Sequence, residues 1–264
     1  MTPASAPDRR ERIALGLVGL AGAAALLEAA PRLGLVRPEF LPPFSAMAVA
    51  LGREARTAAF WRALADTLAG WSAGLAIAVA AGVVAGVVIA SVRGLRAVTA
   101  STIEFLRPIP SVALIPVAVL LYGTRFGSTL LLVGYAAFWP VLIQVIHGLA
   151  DVDPVARDTA RAYRFTTWTR IRYVLLPTGL PYILTGLRLS AAVALILAIT
   201  AELVIGAPGL GNEIGVAAAS SAVASTYALI LVVGVLGLAV NLAFRAVERR
   251  ALAWHTSVRG EVPG

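Results

Sequence analysis

Six stretches of this chain run apolar for long enough to restrict what it can become: about Ile13–Ala30, Thr67–Ser91, Pro110–Tyr122, Phe126–His147, Gly179–Val204 and Thr226–Phe244. A helix needs roughly 20 mostly apolar residues to cross the hydrocarbon core of a bilayer. Lipid offers no partner to unpaired backbone groups, so every such segment must satisfy its own N–H and C=O groups as a helix. An all-α membrane protein with about six transmembrane helices follows. The third stretch is short by itself. It reaches spanning length only if the amphipathic Val98–Arg107 leads into it, with Arg107-Pro108-Ile109-Pro110 breaking the helix at the membrane edge. A mean hydropathy of +0.86 with 14% charged residues leaves no room for a large extra domain. One transmembrane domain over residues 1–264 is therefore expected, with a tail at 1–12, an outer segment at 31–66, a polar loop at 148–178 and a tail at 245–264. The first stretch also has the outline of a signal peptide, but it is long for one and precedes no soluble domain, so an anchor helix fits better.

All 22 basic residues are arginine, and cysteine is absent. The missing cysteine excludes thiolate metal sites, dithiol redox chemistry and disulfides. The placement of the arginines sets orientation. With the N-terminus in the cytoplasm, three fall in the first tail, Arg93, Arg96 and Arg107 follow span two, five follow span four, and four lie in the C-terminal tail. Six lie outside, five of them in Pro31–Asp66, whose Arg-Glu mixture reads as an amphipathic helix on the outer surface. The arginines are dispersed along the cytoplasmic edge and not interleaved with aromatics, so nucleic acid is not expected as a partner. A multi-pass protein of a bacterial plasma (inner) membrane is expected, with both termini cytoplasmic.

The five-arginine loop carries local helix signals. Asp153 is a good N-cap with Pro154 at the first helical position, Asp153 and Arg157 are spaced i,i+4, and Thr166 or Thr167 can cap a second helix. Arg157, Arg161 and Arg164 then share one face. On the second helix Trp168, Ile171 and Val174/Leu175 form an apolar stripe opposite Arg170 and Arg172. Pro177, Gly179 and Pro181 are expected to end that helix and redirect the chain. Two readings are open: a basic helix pair lying on anionic lipid headgroups, or a docking knob for a cytoplasmic partner.

The stretch Asp158-Thr159-Ala160, with Arg164 four residues after Ala160 and Val174, Leu176 and Pro177 beyond, resembles the cytoplasmic loop signature of binding-protein-dependent ABC importer permeases. The spacing matches. Arg164 stands where the family has glycine, at the bend between two helices where positive φ or close approach is wanted. Leu-Arg-Pro-Ile-Pro at 106–110, Ala-Leu-Ile-Pro at 113–116, PYILTGLRL from Pro181 to Leu189 and AELVIGAPGLG from Ala201 to Gly211 resemble the nitrate/sulfonate/taurine branch. The resemblance runs from about Leu41 to Trp254. It implies a type I ABC importer permease-like fold, a second permease subunit as a homodimer, ABC ATPase subunits beneath, and a solute-binding protein outside the membrane. It also implies coupling to the ATPase through the 153–177 loop, at Asp158, Ala160, Leu176 and Pro177 with Arg161 and Arg164 beside them. No cofactor is implied in this chain; ATP and Mg belong to the partner ATPase.

Several apparent motifs carry no chemistry. No GxxxxGK[ST] loop is present, so the chain cannot hydrolyse ATP by that device and is not expected to be an enzyme. Ile205–Gly215 is glycine-rich but follows a span and lacks lysine, which reads as an outer re-entrant turn. Gly70-Trp71-Ser72-Ala73-Gly74 has the GxSxG pattern but lies in a span far from His147 and His255. Small residues for close helix packing explain it better, since Gly82 and Gly86 repeat the four-residue spacing. Charges inside spans carry a functional expectation: Glu202, near the outer end of span five, for the translocation path or outer gate, and Arg188, some two turns in from the opposite end, for the path or for structure. Glu28 and Asn241 read as edge or packing residues, and Trp139 and Gln144 as candidate pore residues. The competing functions are an ion-coupled secondary transporter, for which no repeat or midplane acid is evident, and a hydrolase built on Ser72. The substrate expected from the branch is a small solute such as nitrate, a sulfonate, taurine or a vitamin precursor.

Overall fold

A computed structural model describes residues 9–253, among which no strand occurs. The first eight residues and the chain from Trp254 onward, including His255 and Arg259, lie outside the described residues. Eleven α-helices follow in order: α1 (Arg9–Arg32), α2 (Phe44–Glu54), α3 (Ala58–Ser91), α4 (Arg93–Leu106), α5 (Ile115–Tyr122), α6 (Phe126–Ala150), α7 (Pro154–Ala162), α8 (Thr167–Arg170), α9 (Leu176–Ile205), α10 (Leu210–Ala219) and α11 (Val223–Ala251). Five stretches are individually long and apolar enough to cross a membrane: Ala14–Arg32, Ala58–Ser91, Phe126–Ala150, Thr167–Ile205 and Val223–Ala251. The expected third span is a bent helix pair. Gly94–Leu106 meets Ser111–Tyr122 at 84°, and the break falls on the Pro108 and Pro110 segment, where missing N–H groups leave nothing for an α-helix to continue on. Tyr135 of α6 donates its hydroxyl to the Leu106 carbonyl at 2.8 Å, satisfying an acceptor that the break frees.

The described chain forms two compact units. The smaller holds α1, α2 and Glu213–Val232. In it the Glu28 carboxylate accepts from the Ser45 backbone N–H at 2.8 Å and from the Ser45 hydroxyl at 3.0 Å, and pairs with Arg32. A carboxylate on α1 thus caps the first turn of α2, whose own N-cap, Pro43, has no side chain for the task. Glu28, expected as an edge residue, is a tie between two elements. The outer helix anticipated within 31–66 is α2, while α3 starts well before the expected Thr67.

The larger unit, 62–212 with 233–253, is built around α3, α6 and α9. Cβ atoms placed at Gly70, Gly74, Gly82 and Gly86 would meet Thr129, Val133, Val141 and Val145 at 3.2, 2.6, 2.9 and 2.7 Å. The constant offset means that α3 and α6 run parallel. The four-residue spacing of glycine lets the two backbones approach to where only a hydrogen fits, and in lipid such close packing holds helices together where hydrophobic transfer cannot. Ala78 continues the row and is buried with Val133, Ala137, Ala191, Ala194 and Ala198. Helix α9 lies antiparallel to α6: Ser190 donates to the Ala137 carbonyl at 2.7 Å, while Gly186 sits against Gln144 and Gly148 against Tyr182. Trp71 donates to the Ala191 carbonyl at 2.9 Å, joining α3 to α9. Ser72 is exposed on α3, and its hydroxyl donates to the Ala69 carbonyl of the same helix at 3.3 Å.

Helix α9 is longer than the sequence suggests. Pro177, Gly179 and Pro181 do not end the preceding helix; one helical path runs from Thr167 to Ile205 over 39 residues. The physical reason is a π-helical turn at Ile171–Leu175 directly before Pro177. Widening the turn leaves the proline ring room and dispenses with its missing N–H. Thr178 then donates its hydroxyl to the Val174 carbonyl at 2.9 Å.

Candidate functional site

The loop between α6 and α9 folds as its local chemistry dictates. Asp153 Oδ1 accepts from the Val155 N–H at 2.8 Å, with Pro154 opening α7. Thr166 Oγ1 accepts from the Thr169 N–H at 3.2 Å and caps α8. Between them, Arg164 takes φ 51°, the left-handed region that glycine occupies without cost. The Arg164 N–H bonds to the Arg161 carbonyl and the Phe165 N–H to the Ala160 carbonyl, both at 2.9 Å. These two bonds make a Schellman ending, with Arg164 at the position where helices favour glycine. The bend therefore keeps the geometry glycine would give it, despite the substitution.

The bend sorts the expected residues by exposure. Asp158 has 73% of its side chain exposed and pairs with Arg161 at 3.2 Å. Arg164 is exposed, and Leu176 is 48% exposed. Ala160, by contrast, is 2% exposed beneath the turn, and Pro177 is half-buried at the start of α9. Asp158, Arg161, Arg164 and Leu176 therefore lie at the surface, while Ala160 and Pro177 pack beneath it. The aromatics of the loop were missed as surface features. Tyr163, Trp168 at 69% and Tyr173 are exposed large side chains around the same bend. The signal was their number in a loop otherwise polar, since exposed aromatics concentrate at interfaces.

Two expected alignments fail. Arg164 leaves the face of Arg157 and Arg161, because α7 ends at Ala162 and the left-handed turn swings the chain away. Arg170 does not oppose Val174 and Leu175; all three line one cavity of about 400 Å³ with Arg157, Arg161, Leu149, Ala90 and Ser91. Arg157 donates to the Leu149 carbonyl at 3.5 Å, toward the C-terminus of α6, while Asp153 caps α7.

The residues expected on a translocation path lie far apart along α9. Arg188 pairs with Glu248 of α11 at 2.8 Å. It also lines a groove of about 370 Å³ between α9 and α11, otherwise mostly apolar and including Asn241. Glu202, at the far end of α9, is 1% exposed. Its Oε2 accepts from the Thr67 hydroxyl at 2.8 Å and from the Gly211 N–H at 3.0 Å, while Thr67 Oγ1 accepts from the Leu210 N–H at 2.8 Å. A side chain on α9 and one on α3 thus hold the first turn of α10, supplying acceptors for helix-terminal donors. Gly209, at φ 151°, lies so close that a Cβ would meet the Glu202 carboxylate at 2.1 Å. Gly209 and Gly211 are explained by this packing, and Gly206 by its φ of 77° at the end of α9, not by a phosphate. Trp139 stacks edge-on with Tyr135 and Phe138, at 5.7 and 5.1 Å between ring centroids, and Gln144 packs against Gly186. Among the described residues no group of acidic or histidine side chains could hold a metal ion.

The fold and this loop define a class: multi-pass membrane proteins whose helical core carries a capped polar helix pair at one end. The chain belongs to the family of binding-protein-dependent transport system inner membrane components, which matches residues 78–252. It is 33% identical over 159 residues to a putative aliphatic sulfonates transport permease protein of Bacillus subtilis, covering 60% of this chain and 58% of the relative. It is 32% identical over 165 residues to a taurine transport system permease protein of Escherichia coli, covering 62% and 60%. The matches thus span about three fifths of the length of these relatives. Among solved structures, the inward-facing MetNI methionine ABC transporter shares the fold, with a TM-score of 0.61 at 20% identity over 73% of this chain and 95% of that one.

Proposed function

We propose that this chain is the transmembrane permease subunit of an ABC importer, paired with a second copy of itself and driven through the 153–177 loop by a separate ATPase that binds ATP and Mg. The observation that carries the reading is mechanical. Helix α8 of the exposed knob opens the 39-residue helical path that runs to Ile205, past Glu202, so a force on the knob is passed along that path toward the opposite end of the α3, α6 and α9 core. Asp158, Arg161, Arg164 and Leu176, with Trp168 and Tyr173, form the surface that receives the ATPase. Ala160 and Pro177 hold its shape. The arginine distribution supports a cytoplasmic side for this knob and both termini, with α10 on the outer side, where a solute-binding protein would deliver substrate.

The names of the relatives, for aliphatic sulfonates and taurine, support a small solute such as a sulfonate or taurine as the class transported. Along the path, Arg188 stands at the groove between α9 and α11, and Glu202 holds α10 in place as part of the outer gate. ATP draws the two ATPases together, the knobs move with them, and the spans exchange inward-open for outward-open states.

The test is co-purification of a partner ATPase, together with uptake in cells. Leu176→Asp and Trp168→Ala should lose the ATPase and uptake together while still reaching the membrane. Unchanged assembly in both, or uptake that survives ATP depletion and collapses with the proton gradient, would overturn the proposal.

A further inference from the structure

The cavity beside the knob has a composition that the coupling role does not require. Arg157 and Arg161 of α7 and Arg170 of α8 all line it, and no carboxylate among the described residues does. Arg157 and Arg170 are half-buried, so their charges are partly withdrawn from water. Arg170 has no ion pair among the described residues. Arg157 has one long bond of 3.5 Å to the Leu149 carbonyl, and Arg161 shares an exposed pair with Asp158 at 3.2 Å. Three arginines lining one space repel one another unless an anion joins them. Guanidinium is suited to oxyanions, offering planar paired donors to two oxygens at once.

The rest of the wall says which anion. Ala90 and Ser91 close α3, Leu149 stands at the end of α6, and Val174 and Leu175 lead into α9. The cavity therefore sits where three spans end, cationic on the side of the loop and mostly apolar on the side of the spans. That is the polarity of a phospholipid at the membrane surface, headgroup phosphate against basic residues and glycerol and upper acyl chain against apolar ones. A free inorganic anion would gain nothing from the apolar wall.

We propose that this cavity binds the phosphate group of an anionic phospholipid headgroup, held by Arg157, Arg161 and Arg170. The bound lipid would fix α7 and α8 relative to the ends of α3 and α6. Arg161 is shared with the surface proposed to receive the ATPase, while binding of lipid to the chain alone tests this site separately.

The experiment uses the full chain purified in detergent, with native mass spectrometry reading retention of phosphatidylglycerol against phosphatidylcholine, and with inorganic phosphate as a separate competitor. Wild type should retain phosphatidylglycerol preferentially. Arg157→Gln and Arg170→Gln should each weaken that retention about fivefold, the worth of one basic side chain near an anionic surface. Arg170→Lys should recover part of it. Arg172→Gln, which removes a nearby arginine that does not line the cavity, should leave it unchanged; a circular dichroism spectrum like wild type shows that each variant is folded. Equal retention of the two lipids, or equal losses in Arg172→Gln and Arg170→Gln, would overturn the site. Displacement of the lipid by millimolar inorganic phosphate would overturn the lipid as its ligand. Displacement by the partner ATPase, with retention of lipid only in its absence, would assign the arginines to a protein carboxylate instead.

Discussion

Replacing Arg164 with glycine should stabilise the knob, against the usual direction of such a change. The residue sits at φ 51°, where a side chain brings its Cβ against the following carbonyl at a cost of about 1–2 kcal/mol. Glycine removes that cost but adds about 0.5–1 kcal/mol of backbone freedom to the disordered loop. The net expectation is about 0.5–1 kcal/mol in favour of glycine, with both 2.9 Å Schellman bonds retained. Hydrogen exchange of the α7 and α8 amides reads the opening of this loop directly, and the gain should appear as about two- to fivefold slower exchange. Arg164→Ala separates backbone from side chain: it deletes the guanidinium but keeps the conformational cost, so it should exchange faster than the glycine variant. Ala156→Gly, in ordinary helical backbone eight residues earlier, should do the reverse and speed exchange, since glycine inside a helix costs about 1 kcal/mol relative to alanine. If Gly and Ala at position 164 gave equal protection, the left-handed strain would be absent and the reasoning wrong.

The glycine row of α3 makes a second contrast. Gly74→Ala places a Cβ 2.6 Å from Val133, whereas Gly134→Ala finds open space; overpacking of about 1–3 kcal/mol should lower the melting temperature in detergent for the first and not for the second. Glu202→Ala should leave the Gly211 N–H and the Thr67 hydroxyl without their buried acceptor, costing about 1–3 kcal/mol for each unpaired group and exposing 206–211 to protease. Glu202→Gln keeps an acceptor and should protect that segment better than alanine does. Tyr135→Phe removes the bond to the Leu106 carbonyl, and about 1 kcal/mol of lost stability should appear as faster exchange confined to residues near 106–110.

Much here was settled by composition along the chain. Apolar runs of spanning length admit only helices, because lipid cannot pair a backbone group; the helix ends at Asp153 and Thr166 followed from side chains that reach their own neighbours; and Gly74, Gly82 and Gly86 declared close packing by their spacing. These features depend on residues a few positions apart, which a sequence displays. What faces those glycines, Val133, Val141 and Val145, lay in another helix and became known only once α3 and α6 were packed. The same is true of Glu28 and Glu202, both holding the first turn of a helix elsewhere in the chain, and of Arg157 and Arg170, drawn to one cavity by a left-handed residue and a π-helical turn. Spacing reports which face of a helix a side chain takes; a change of hand or of pitch resets that face, and only the folded chain shows where it then points.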